Sequence, residues 1–262
     1  MNFVVSPSCA HLAAQPGILL ENITWVEAER VLNTESVVVI PLGAASKEHG
    51  PHLPLKNDFL LAEYFKDRVR QKAAVVIAPT VNYHYYPAFV EYPGATTLRL
   101  ETARDLIVDI CRALSRFGPR RFYVLNTGVS TVRALEPAAA LLAKDGILLR
   151  YTDILEIAKV TEASVFQQEG GTHADEIETS MMLYIAPQVV DMSKARKDYD
   201  ARPRKGPLTR DPKGEGTYSP TGIYGDATLA TRQKGRIVVE ATVAGILREI
   251  EGLRRQSPPG HQ

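Results

Sequence analysis

Residues 36–43 read Ser-Val-Val-Val-Ile-Pro-Leu-Gly, an apolar, β-branched run with no polar residue after its first position. A strand with one wet face alternates apolar and polar residues. A run without alternation is buried on both faces, which places it in a sheet covered by helices above and below. Residues 74–78, 121–125 and 147–151 are similar runs. Helical patterns lie between and after them, at residues 58–70, 103–117, 132–143, 176–185 and about 229–253. The clearest has Ala103, Leu106, Ile107, Ile110, Leu114 and Phe117 at three- and four-residue spacing, closed by Gly118-Pro119. Thr24 and Glu27 have the spacing of a capping box, so a further short helix begins at Trp25. Strands alternating with helices predict parallel strands joined by right-handed crossovers. The expected fold is α/β, a three-layer α/β/α sandwich with a mostly parallel central sheet.

One region breaks the alternation. Residues 194–218 are rich in Lys, Arg and Pro without apolar periodicity, and read as a long surface loop, a lid or a subunit-contact arm. No linker divides the chain, so residues 1–262 are expected to form one domain with its core at about 24–253. The formal charge of +1, without a basic stripe, argues against nucleic acid as the main partner. No apolar run approaches the length that spans a bilayer, and the first residues lack a basic start followed by an apolar stretch. Cys9 and Cys111 have no metal-knuckle or disulfide spacing. A cytoplasmic location is expected, and a chain of this size needs no metal merely to fold.

Ligands of open parallel sheets bind beyond the carboxyl ends of the strands. The segment after the first strand carries Lys47, Glu48, His49, His52 and Asp58, rigidified by Pro51 and Pro54. After the second come Asn82, Tyr83, His84, Tyr85 and Tyr86; after the third come Asn126, Thr127, Gly128, Val129, Ser130 and Thr131. Further on, Glu178 falls on the apolar arc of Ile177, Met181, Met182 and Ile185, whereas Asp175 and Glu176 point elsewhere. A carboxylate on a buried face is costly unless paired or bound to a cation. With His and Asp offered by another loop, a metal is the expected compensation.

His-Gly-Pro-His-Leu-Pro-Leu-x-x-Asp (His49 to Asp58) and His-Ala-x-x-x-Glu-Thr-Ser (His173 to Ser180) resemble motifs of the creatininase family of metal hydrolases. Residues 92–98 and 221–231 resemble two further segments of that family, so the likeness runs from about Thr24 to Leu253. The resemblance implies hydrolysis of a cyclic amide, formamide or related carbonyl compound by metal-activated water, in a homo-oligomer, often a hexamer. Carried over by position, it makes His49, Asp58 and Glu178 ligands of one metal, with Asp58 bridging to a second, and His173 a proton carrier. His52, Tyr83, His84, Asn126, Thr127 and Ser130 are expected to bind substrate. The donors suit zinc, manganese or iron(II).

The sequence departs from the family pattern at the second metal. Lys47 stands where a glutamate ligand is expected, in a segment one residue longer, and Gly128 stands where a histidine ligand is expected. Glu48 can shift into the missing carboxylate's place, but glycine has no side chain to ligate with. One ion per chain is therefore expected, with the Lys47 ammonium supplying charge at the vacated position. Two other readings stay open: a non-catalytic binding protein that keeps the fold, and a metal-dependent isomerase or lyase with His173 or Lys47 as base.

Overall fold

The computed structural model describes residues 16–201 and 206–260. Cys9 and the first residues, on which the leader reading rests, lie outside them. Five strands form a wholly parallel sheet: β1 (Ile18–Leu19), β2 (Val37–Leu42), β3 (Val76–Ile77), β4 (Arg121–Asn126) and β5 (Leu148–Tyr151), in the order β1-β3-β2-β4-β5. Every residue of β2 is buried, as its composition requires.

Alternate side chains of the central strands enter two cores. Val37, Val39, Tyr123 and Leu125 pack against α2 (Asn57–Lys72), α6 (Glu176–Ile185) and α7 (Arg232–Arg255). Val38, Ile40, Leu42, Phe122 and Val124 pack against α3 (Leu100–Ser115) and α4 (Val132–Lys144), with α1 (Trp25–Val31) at the margin. This is the expected three-layer sandwich. The capping box at Thr24 forms in full, and α6 has the bounds that its periodicity gives.

Several expectations need correction. The run at 74–78 pairs over only two residues, because β2 continues past it: the Val39 and Pro41 carbonyls bond Ala78 and Val81, and Pro41 has no amide to give that neighbour. The last helix starts at Arg232 because Thr231 caps it, and Gly225–Asp226 is drawn into a short antiparallel pair with Lys197–Asp198. The 194–218 segment is not wholly irregular. Leu208–Thr209 pairs with Thr217–Tyr218, and Leu208 is buried against Tyr86 and Phe89. The strand at Ile18–Leu19 and helix α5 (Lys159–Val165) have no sequence signal that we identified.

Gly43, at the carboxyl end of β2, sets how closely α2 approaches the sheet. A Cβ there would overlap the Asp58 carbonyl and crowd the Ala62 methyl. Gly43→Ala is expected to cost about 2 kcal/mol through overpacking, measured by urea denaturation. An unchanged midpoint would show that α2 can retreat freely.

Candidate functional site

The site lies at the carboxyl ends of β2 and β4, where the start of α2 and the start of α6 meet. Asp58 sits in the first turn of α2 and is fully buried. Such a carboxylate gains from the helix amides, but it also needs cationic partners. Lys47 Nζ lies 2.6 Å from its Oδ2, and His49 Nε2 lies 2.8 Å from its Oδ1. Burial opposes ionisation of Asp58, but these two cations outweigh it and hold its pKa well below the usual carboxylate range. Lys47 is itself buried, yet Asp58 and Glu178 keep its pKa above the ordinary lysine value.

Glu178 is fixed from both ends. The Asp175 carboxylate caps α6 by accepting the amides of Ile177 and Glu178 at 3.0 Å each. Ala174, left-handed at φ 49°, donates its amide to Glu178 Oε2 at 2.6 Å. Asn57 Nδ2 donates to Glu178 Oε1 at 3.0 Å. Glu178 Oε1 also lies 3.4 Å from His49 Nε2, and its Oε2 lies 3.7 Å from His173 Nδ1. Donor atoms of His49, His173 and Glu178 all fall within 4.8 Å of one another. Asp58 stands beside this cluster, not within it, with one oxygen facing His49 and the other committed to Lys47.

The histidines differ in protonation. Burial disfavours charge on His49, but Asp58 and Glu178 raise its pKa to about 9. Its Nδ1 is 2.9 Å from the Lys47 carbonyl, which accepts the Nδ1 proton and orients the ring. His173 is driven the other way, well below the ordinary histidine value, by burial and by the nearby Lys47 ammonium. Its Nε2 lies 3.1 Å from Glu48 Oε2. Burial lifts the Glu48 carboxyl to about 7. Phe89 lies against His173 with ring centres 4.2 Å apart.

A cavity opens onto this cluster. Lys47, Thr127, Ser130, His173 and Glu178 line it, as do Tyr86, Phe89, Glu162 and Phe166. Four residues expected to bind substrate are not part of its wall. His52 Nε2 pairs with Thr179 Oγ1, and His84 Nε2 donates to the Ala103 carbonyl. Asn126 donates to the carbonyls of Gly128 and Thr152 and accepts from Thr131, so it shapes the loop after β4. Tyr83 is turned outward, 47% exposed. Glu176, expected to point away from the core, is fully buried in an ion pair with Lys234. Phe89, Glu162 and Phe166 line the cavity without a sequence signal of their own. Phe89 follows an aromatic cluster, which hints at the segment but not the residue, and α5 gave no signal at all.

Three comparisons bear on this arrangement. The family model "Creatininase: Creatinine amidohydrolase" matches residues 21–250. Creatinine amidohydrolase of Pseudomonas putida is 29% identical over 267 residues, covering 92% of this chain and 98% of the relative. A mycofactocin precursor peptide peptidase of Mycolicibacterium smegmatis is 28% identical over 222 residues, covering 80% and 82%. A crystal structure of creatinine amidohydrolase superposes with a TM-score of 0.75 at 24% identity, covering 92% of this chain and 99% of that one. The parallel sheet, the two motif segments meeting at its carboxyl edge and the family match over most of the sequence lead to one conclusion: this chain belongs to the creatininase family.

Proposed function

We propose that the chain is a metal-dependent hydrolase that cleaves the C–N bond of a small amide or cyclic amide, with one divalent ion held by His49, His173 and Glu178. The observation that carries this reading is the convergence of those three donors, two of which, His173 and Glu178, line a cavity. The amidohydrolase and peptidase relatives are consistent with it. Two imidazoles and a carboxylate suit zinc, manganese or iron(II), and such an ion supplies Lewis acidity and an activated water.

The chain's own groups organise the rest. The Lys47 carbonyl holds the His49 Nδ1 proton and leaves Nε2 as the donor, an arrangement common behind ligating histidines. Asn57 and the Ala174 amide fix the two oxygens of Glu178. His173 turns Nδ1 toward Glu178 and Nε2 toward Glu48. The proton traffic expected of His173 passes in this reading to Glu48, because His173 is taken up as a ligand. A carboxyl that titrates near neutrality can take a proton and return it to the leaving nitrogen. Phe89 packs against the His173 ring, with ring centres 4.2 Å apart.

Metal uptake must expel the second proton of His49. Because His49 holds that proton up to about pH 9, raising the pH should tighten binding. The manganese Kd is expected to fall about tenfold per pH unit between pH 7 and pH 9. Calorimetry in buffers of different ionisation enthalpy would count the released proton. A Kd independent of pH would mean that His49 is already neutral in the metal-free protein.

The activity is tested by incubating metal-loaded protein with small cyclic amides, N-formyl compounds and short peptides in ¹⁸O-water. Hydrolysis puts solvent oxygen into the new carboxyl group and stops on chelation. Product free of solvent oxygen would indicate an isomerase or lyase. Tight metal binding without turnover would favour a binding protein.

A further inference from the structure

The cavity that opens onto the three converging donors holds a second feature, an aromatic and cationic corner formed by Tyr86, Phe89 and Lys47. Tyr86 is 2% exposed, and its hydroxyl has no hydrogen-bond partner among the described residues. Burying a hydroxyl unpaired is unfavourable, so its retention calls for a partner that arrives from outside. The ring lines the cavity together with Lys47, whose Nζ is 5.8 Å from the Tyr86 ring centre and 5.0 Å from that of Phe89. Tyr86 also stands beside Gly128. A Cβ added there would meet the Thr131 side chain at 3.0 Å and the Tyr86 Cε1 at 3.3 Å, so Thr131 and the ring together border position 128. The Tyr86 backbone is tied down by its amide, which donates to Thr97 Oγ1 at 2.9 Å, and its ring shares a buried cluster with Leu208.

We propose that the Tyr86 hydroxyl and the Lys47 ammonium together bind the carbonyl oxygen of the substrate as it becomes an oxyanion, in the half of the pocket where the family pattern calls for a second cation. This rests on the hydrolase reading above and adds a catalytic residue to it. Fixed donors aimed at developing negative charge need no reorganisation during the reaction. An ammonium and a phenol can thus replace the electrophilic half of a two-ion site. No bond is made or broken by either group; the phenol donates its proton into a hydrogen bond and keeps it.

The probe is methylphosphonate, a stable tetrahedral anion with the shape of the adduct formed when water adds to an amide. Its binding to zinc-loaded wild type and to Tyr86→Phe is measured by calorimetry, alongside zinc affinity and the Tm of the unliganded proteins. Tyr86→Phe is expected to weaken methylphosphonate binding about tenfold or more, the loss of one hydrogen bond to an anion. Its zinc affinity should be unchanged, and its Tm equal to or above that of the wild type, because no unpaired hydroxyl is then buried. Unchanged methylphosphonate affinity, or no binding by the wild type, overturns the proposal. A lowered Tm would do the same by assigning Tyr86 a structural role. A protein that takes up no zinc would overturn the metal reading instead. The same comparison then decides the matter on metal-free protein, where Lys47 still attracts the anion.

Discussion

Glu48→Gln is expected to lower kcat by about a hundred- to ten-thousandfold while leaving metal content unchanged. The residue lies 3.1 Å from His173 Nε2 and is not among the three converging donors. Its carboxyl titrates at about 7 because burial penalises the charged form more than Lys47, His49 and the Gly50 amide favour it. A glutamine keeps the volume and the carbonyl but cannot exchange a proton. The pH–rate profile of the wild type should therefore show a limb near neutrality that the variant lacks. Equal rates in both proteins would remove Glu48 from the reaction, and loss of metal in the variant would make it a ligand.

The second large effect is on stability. In the metal-free protein, Lys47→Met should cost about 3 kcal/mol, the lower part of the range for stripping one partner from a buried ion pair. His49 remains beside Asp58 and softens the loss. For a chain of this size that corresponds to a Tm lower by about 6–12 °C. Saturating manganese should restore more stability to the variant than it adds to the wild type, since a cation near the site can again answer the Asp58 charge. An unchanged Tm would mean that Lys47 and Asp58 contribute no net stability, and that the close contact between them has only a functional use.

The two central strands and α6 were legible because their side chains carry the period or the burial that the structure then uses. Every residue of β2 is buried, and its sequence contains no polar residue to put elsewhere. Ile18–Leu19 and Lys159–Val165 were not legible: two residues have no period, and α5 buries none of its side chains. At the site, the motif residues were readable as a set, but their pairings were not. Lys47 is tied directly to Asp58, an arrangement that needs the loop after β2 and the start of α2 placed in space. The aromatic segment shows the same limit. Tyr83 and Tyr86 are three residues apart and chemically identical, yet one is turned to solvent and the other is sealed by Leu208, which lies far along the chain. His84 and Asn126 looked available because sequence does not show which carbonyls need a donor. Both are occupied by backbone.

The most direct test of the account is the metal content per chain, by elemental analysis, of wild type and His49→Ala purified without chelators and reconstituted with manganese or zinc. About one ion per chain is expected in the wild type, and its loss in the variant. Two ions in the wild type would contradict the reading of Lys47 and Tyr86 as occupants of the second half of the site. No ion after reconstitution, or an ion retained without His49, would contradict the metal centre itself.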